Sequence, residues 1–185
     1  MIVAGLITFI AAVHYMYMRE FWLVMGELLV VYRYIDWVLT VPLQMVYFYL
    51  ILIAAGAAVS DGSFWRLLVS TLVMVIGGYL GESGMISVLL GFIIGMIGWA
   101  LIIWEIFRGE ASQAASSNAS VSFPLTLRDW FVLIGWAIYP LGYVLCLMMG
   151  SFDANTLNWV YNLTDFVNKI LFGLIIWNAA AKDTP

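Results

Sequence analysis

A chain of 185 residues is one domain by length, but 65% hydrophobic residues, 10% charged residues and a mean hydropathy of +1.03 exclude the soluble class. The net charge of −4 comes with no basic patch, which argues against a nucleic-acid partner, and the single cysteine, Cys146, excludes a disulfide framework or a multi-cysteine metal site. The composition predicts an all-α membrane protein, one domain over 1–185, with the lipid bilayer as its surroundings.

The first predicted helix, about 2–18, starts directly in apolar sequence without a charged leader or cleavage site and ends in HYMYMR, where Arg19 and Glu20 mark the water boundary. His14 and Tyr15 lie in its last turns; a lone histidine acquires a role only beside a carboxylate. Residues 20–31 read as a connection that lies on the membrane surface or pairs as a short hairpin. The second helix, about 32–58, carries YRYIDWVLTVPLQMVYFYLIL, in which Arg33, Asp36 and Thr40 at i, i+3 and i+7 share one face. An interfacial ion pair would explain Arg33, whereas Asp36, deeper and beside Trp37, asks for a chemical reason. Pro42 removes a bond to the Val38 carbonyl and predicts a kink beside these charges.

The third helix, about 64–81, carries Arg66 in its first turn and ends at Glu82. In the fourth, about 85–107, Gly91, Gly95 and Gly98 permit close helix approach, and Trp99 suits either a pocket or packing. Residues 109–122, GEASQAASSNASVS, predict a flexible loop. The fifth helix, about 129–149, sets Trp136, Tyr139 and Tyr143 at i, i+3 and i+7 with Pro140 between them: a packing stripe or, with Trp37, Tyr15 and Tyr161 added, walls for a long flat ligand.

The sixth helix, 157–181, has Lys169 at its centre, midway between Trp159 and Trp177 at plausible headgroup levels. An ammonium there costs roughly 3 kcal/mol on insertion scales unless it is paired, neutralised or used. Asp165 at i−4 shares its face. The pair is either structural, or the amine condenses with an aldehyde to a Schiff base whose protonated form still needs Asp165. Six spans put both termini on one side, and Arg66, Arg108, Arg128 and Lys182 against Arg19 make that side cytoplasmic. Asn162-Leu163-Thr164 matches a glycosylation sequon but lies at membrane depth, and no hydrolytic or metal constellation marks an enzyme.

Together, HYMYMR, RYIDWVLTVPL, GWAIYPLGY and YNLTDFVNKILFGLIIWN resemble the proteorhodopsin branch of the microbial rhodopsins over nearly the whole chain. The resemblance implies all-trans retinal on Lys169 as a protonated Schiff base, with Asp36 as primary counterion and proton acceptor and Asp165 as second carboxylate. It implies a His14 hydrogen bond to Asp36, Arg33 on the exit side, and a retinal site formed with Trp37, Thr40, Gln44, Trp136, Tyr139, Pro140, Tyr143, Tyr15 and Tyr161. Gln44 stands where this family tunes colour, and glutamine there implies blue absorption. The implied function is a light-driven outward proton pump, a homo-oligomer in the bacterial inner membrane.

Two departures modify that expectation. The family places a carboxylic proton donor eleven residues after the acceptor, about 16 Å along the same face; here the position is Tyr47, a poor rapid donor. A slow cycle with a long-lived deprotonated intermediate is expected, which suits a photosensory rhodopsin signalling to a transducer as well as a weak pump. The family also has seven helices, and this chain supplies six, corresponding to helices two to seven; a lipid-facing gap is expected beside the helix carrying His14 unless lipid or oligomer contacts cover it. A non-photoactive or truncated fragment, with Lys169 and Asp165 paired structurally, is the remaining reading.

Overall fold

In hydrocarbon a segment must satisfy its own backbone polar groups, so apolar runs of this length are driven to helix. The computed structural model describes residues 2–26, 30–54, 56–110, 112–113 and 119–182, with side chains described for these except 119–129, 131 and 175–182. Among the described residues there are six long helices and no strand: α1 (Ile2–Met25), α2 (Val30–Ala54), α3 (Asp61–Glu82), α4 (Val88–Phe107), α5 (Ala119–Tyr143) and α6 (Ala154–Lys182). A π-helical turn, Val144–Met148, continues α5 just beyond Pro140, which has no N–H to give the preceding turn. Helices α1 to α4 are each long and apolar enough to cross a membrane, and Val132–Met148 is a shorter apolar helical stretch.

Each helix packs against the next in chain order, and α6 returns to α1, so the bundle is a closed ring. Where a gap was expected beside His14, α1 touches both α2 and α6, while its outer face exposes Leu6, Phe9, Val13, Met16 and Tyr17. In lipid the association of such helices rests on close packing and polar contacts more than on hydrophobic transfer. The α3–α4 pair shows this. A Cβ on Gly98 would lie 2.5 Å from the Met74 nitrogen, and one on Gly77 would lie 2.9 Å from the Gly95 nitrogen. At one end of the pair, Arg66 binds the buried Glu105 (Nε to Oε2, 2.8 Å), which also accepts from the Ser63 hydroxyl at 2.6 Å. Beyond α4, Glu110 accepts from the Ser60 hydroxyl at 2.7 Å and from the Ser60 backbone N–H, and these bonds with Arg66 hold its carboxyl below the usual range.

Several boundaries differ from the sequence expectation. The first helix does not stop at Arg19: it continues through 20–25, whose residues are all compatible with helix, and ends where Gly26 takes φ +72°. Arg19 and Glu20 simply pair with each other on its exposed side at 2.6 Å. The rest of the predicted hairpin, 27–29, lies outside the described residues. α2 runs through Pro42 without interruption. α5 begins at Ala119, inside the predicted loop, because a segment with alanine and no glycine tolerates helix despite its serines; residues 111 and 114–118 of that loop lie outside the described residues. α6 starts at Ala154 because Asp153 caps it, its Oδ1 accepting from the Thr156 N–H at 2.9 Å and its Oδ2 from the Thr156 hydroxyl at 2.9 Å. Those bonds hold the Asp153 carboxyl below its ordinary range.

Candidate functional site

The helical repeat of α6 stacks Asp165 and Lys169 one turn apart on the inner face, and α2 brings Asp36 against them. Lys169 Nζ donates to Asp36 Oδ2 and, at 3.1 Å, to Asp165 Oδ2. The three side chains are 8%, 1% and 4% exposed, so these charges are available only to each other and to the groups that fold around them. Asp165 is the more heavily held carboxylate. Its Oδ2 also accepts from Trp37 Nε1 at 2.8 Å and from the Tyr15 hydroxyl, and its Oδ1 accepts from the Tyr139 hydroxyl. Asp36 Oδ1 has no hydrogen-bond partner. The ammonium also lies 5.2 Å from the centre of the Tyr15 ring.

His14 is half-buried on α1 and makes no hydrogen bond to Asp36, whose Oδ2 is taken by the charged amine while Oδ1 stays open. Arg33, 1% exposed, is one turn from Asp36 on α2 and pairs elsewhere: with Glu82 at the end of α3 and with Asn158 of α6. The Tyr34 hydroxyl supports Glu82 at 2.9 Å, and the Arg33 guanidinium carbon lies 4.8 Å from the centre of the Tyr161 ring. Glu82, which the sequence marks only as the end of the third helix, is a buried partner of Arg33. The available signal was the need of a buried arginine for a carboxylate.

A cavity of about 120 Å³ opens beside Lys169. Of the expected lining, Trp37, Gln44, Trp136, Tyr139, Pro140 and Tyr143 reach it, together with Asp165 and Lys169. Thr40, Tyr15 and Tyr161 are not among its lining. The Thr40 hydroxyl is spent on the Asp36 backbone carbonyl at 2.9 Å, Tyr15 on Asp165, and Tyr161 on the Tyr139 carbonyl at 2.6 Å. Helices α3 and α4 supply lining not foreseen from the sequence, including Met74, Gly78, Phe92 and Met96, and Trp99 is among the lining residues. Asn168, also unforeseen, lines the cavity and donates to the Gly135 carbonyl at 3.0 Å. Toward the start of α6 a second cavity lies between α1 and α6, bordered by Tyr15, Arg19, Trp22, Asn155, Asn158 and Asn162. On the opposite side of Lys169, Tyr47 is buried against Phe172 (ring centres 6.1 Å apart), Ala4 and Ile7.

The description "bacteriorhodopsin-like protein" belongs to the family model that matches residues 1–183. The chain is 50% identical to the blue-light absorbing proteorhodopsin of Gamma-proteobacterium Hot 75m4 over 185 residues, 98% of this chain and 73% of that protein. It is 48% identical to the green-light absorbing proteorhodopsin of Gamma-proteobacterium EBAC31A08 over 98% of this chain and 74% of that one. Its fold matches the crystal structure of blue light-absorbing proteorhodopsin from Med12 with a TM-score of 0.84 at 47% identity, covering 98% of this chain and 82% of that one. It matches the Exiguobacterium sibiricum rhodopsin with a TM-score of 0.80 at 33% identity, covering 96% and 79%. With the family model spanning nearly the whole chain and relatives this similar in both sequence and fold, the chain belongs to the bacteriorhodopsin-like proteins, the multi-pass microbial rhodopsins.

Proposed function

We propose that this chain is a light-driven outward proton pump that binds all-trans retinal on Lys169, absorbs blue light and cycles slowly. One observation carries the reading: a buried primary amine, held between two carboxylates, opens onto a cavity walled by aromatic rings. The residues present fit retinal, the chromophore the family implies, because the amine stands at the wall of a largely apolar cavity and the rings of Trp37, Trp136, Tyr139 and Tyr143 can confine a flat polyene. Lys169 would hold retinal through its nitrogen between Asp36 and Asp165, and the bound group would supply light absorption and a light-driven change of shape.

The two carboxylates then divide the work. Asp165 has both oxygens engaged by three neutral donors besides Lys169, so protonating it would break bonds already made. Asp36 touches the nitrogen through one oxygen and keeps the other open. A proton leaving the nitrogen would therefore pass to Asp36, while Asp165, held by its three other donors, orients the amine. Arg33, fixed by Glu82 and Asn158, borders the exit side, where the second cavity begins. Gln44 puts a polar amide on the chromophore cavity, which supports blue absorption. Tyr47 at the donor position supports slow reprotonation, since a phenol gives up its proton reluctantly.

In this reading all six helices cross the bilayer and take the places of helices two to seven, with cytoplasmic termini in a bacterial inner membrane and homo-oligomeric neighbours. Tyr47 also favours a second reading, a photosensory rhodopsin whose long-lived state signals to a transducer. The test is the absorption of membranes given all-trans retinal, beside a Lys169→Ala control, followed by illumination in a weakly buffered medium. A blue band absent from the control, with acidification of the medium, is expected. No band overturns the retinal reading, and a band with slow recovery but no acidification replaces the pump with the sensor.

A further inference from the structure

We infer that the cavity between α1 and α6 is a binding site for the phosphate group of a membrane lipid, with Arg19 supplying the charge and asparagine amides the hydrogen bonds. The cavity holds about 370 Å³ and shares no lining residue with the one beside Lys169. One wall is the last part of α1, from Tyr15 to Trp22; the other is the first part of α6, where Asn155, Asn158 and Asn162 at i, i+3 and i+7 share a face.

The polar atoms that reach this space are donors. Asn158 Oδ1 is taken by Arg33, and Asn162 Oδ1 is shut away from solvent, so both carboxamides present their NH2 groups. The Tyr15 hydroxyl is turned inward to Asp165. The indoles of Trp22 and Trp159 can donate and cannot accept. Arg19 is the single charged residue of the lining, which contains no carboxylate. Its pairing with Glu20, at 2.6 Å, uses one guanidinium nitrogen and leaves the other N–H groups of the fork for a ligand. A concave set of donors around one positive charge, with no acid among them, suits an oxyanion, and the guanidinium matches the geometry of phosphate oxygens.

The position of the cavity selects the source of that phosphate. Trp22 and Trp159 are 47% and 68% exposed, as indoles at the headgroup level of a bilayer are. From there toward the membrane centre, α1 exposes Met16 and Phe9, and α6 exposes Leu163 and Phe166. A lipid phosphodiester uses both features: its phosphate enters the donor cavity and its acyl chains lie on the apolar surface beside it. Free phosphate uses the donors alone.

The test takes the purified chain in dodecyl maltoside, a detergent without phosphate, and titrates in dioleoylphosphatidylglycerol, the glucosyl lipid with the same acyl chains, or inorganic phosphate, with bound lipid read by native mass spectrometry. Wild type is expected to retain one phosphatidylglycerol per chain and to bind it about tenfold more tightly than the glucosyl lipid, the factor given by a net charge-assisted hydrogen bond. Arg19→Gln, at an exposed position, should abolish the preference, and Asn162→Leu should reduce it about threefold. A second measurement needs no variant: in isotope-labelled wild type the asparagine side-chain amide resonances move with phosphatidylglycerol and stay in place with the glucosyl lipid. Equal affinity for the two lipids, an undiminished preference in Arg19→Gln or unmoved amides overturns the assignment. Inorganic phosphate that moves the same amides at the same concentration replaces the lipid with a free anion. Absence of saturable lipid binding means that protein closes the groove, a helix of a second copy included, and overturns the site as well.

Discussion

Replacing Asp165 by alanine is expected to destabilise the retinal-free protein far more than replacing Asp36, although both carboxylates bind the same ammonium. Asp165→Ala strands three buried donors at once, the Trp37 indole and the Tyr15 and Tyr139 hydroxyls. At roughly 1–3 kcal/mol for each unsatisfied group the sum is about 3–9 kcal/mol. Hydroxyls that rotate toward other acceptors keep the outcome near the lower end, about 3 kcal/mol. Asp36→Ala strands no neutral donor, since the Thr40 hydroxyl is bonded to the Asp36 backbone carbonyl, which survives. It also turns a buried group of two carboxylates and one ammonium into a neutral Lys169–Asp165 pair, so its cost should stay under about 1 kcal/mol. Tyr139→Phe, which removes a single bond to Asp165, should fall between them at about 1–2 kcal/mol. The assay is loss of helicity of the purified chain in mild detergent as a denaturing detergent is titrated in. An Asp36→Ala variant as unstable as Asp165→Ala would refute the idea that neutral donors, rather than the ion pair, anchor this cluster.

Tyr47→Glu should accelerate recovery of the pigment after a flash by about 10² or more, the usual reach of a well-placed proton-transferring acid, and unchanged decay would count against Tyr47 as the slow donor position. Gly98→Ala should cost about 1–3 kcal/mol by forcing α3 from α4, with Gly95→Ala near neutral; thermal denaturation that ranks them the other way contradicts the packing argument. The Glu110 carboxyl, held low by Ser60 and Arg66, contributes stability that is present above the ordinary glutamate range and lost as pH falls through its depressed value. Because the site is partly exposed the contribution is under about 1 kcal/mol, and wild type should exceed Glu110→Gln near neutral pH but not in acid; a gap that widens on acidification reverses the sign.

Much of the site was legible because membrane burial makes polar residues conspicuous. Lys169, Asp165 and Asp36 stood out against an apolar background, and helical spacing set the first two on one face. Spacing reports direction around a helix but not radial depth. Thr40, Tyr15 and Tyr161 share helix faces with site residues as expected, yet their hydroxyls are bonded elsewhere and they do not line the cavity. The contributions of α3 and α4 were hidden for a different reason: Met74, Phe92 and Met96 look like any apolar membrane residue until a third helix defines which side is interior. Glu82 was taken only as a helix end because its partner Arg33 is 49 residues away in sequence. Helix ends were least legible where charge was taken for an interface, as at Arg19, whereas Gly26 and Asp153 terminate helices by backbone geometry and capping.

The two halves of the bundle are unlike, and the difference supports outward transport with slow refilling. From the cluster toward the starts of α2 and α6, polar groups follow one another: Arg33, Glu82 and Asn158, then the cavity with Arg19, Asn155 and Asn162. In the proposed pump, a proton leaving Asp36 in that direction would meet groups able to hold it or order water around it. From Lys169 the other way, the next turn of α6 presents Phe172, packed with Tyr47, Ile7 and Ala4 and flanked by Leu43 and Ile51. Apart from the Tyr47 phenol that cluster is hydrocarbon, through which proton movement must wait for transient hydration. A carboxylic acid at position 47 would shorten the wait by placing a ready proton inside the apolar layer. In the pump proposed above, tyrosine at that position would make the return of a proton from this side the slow step.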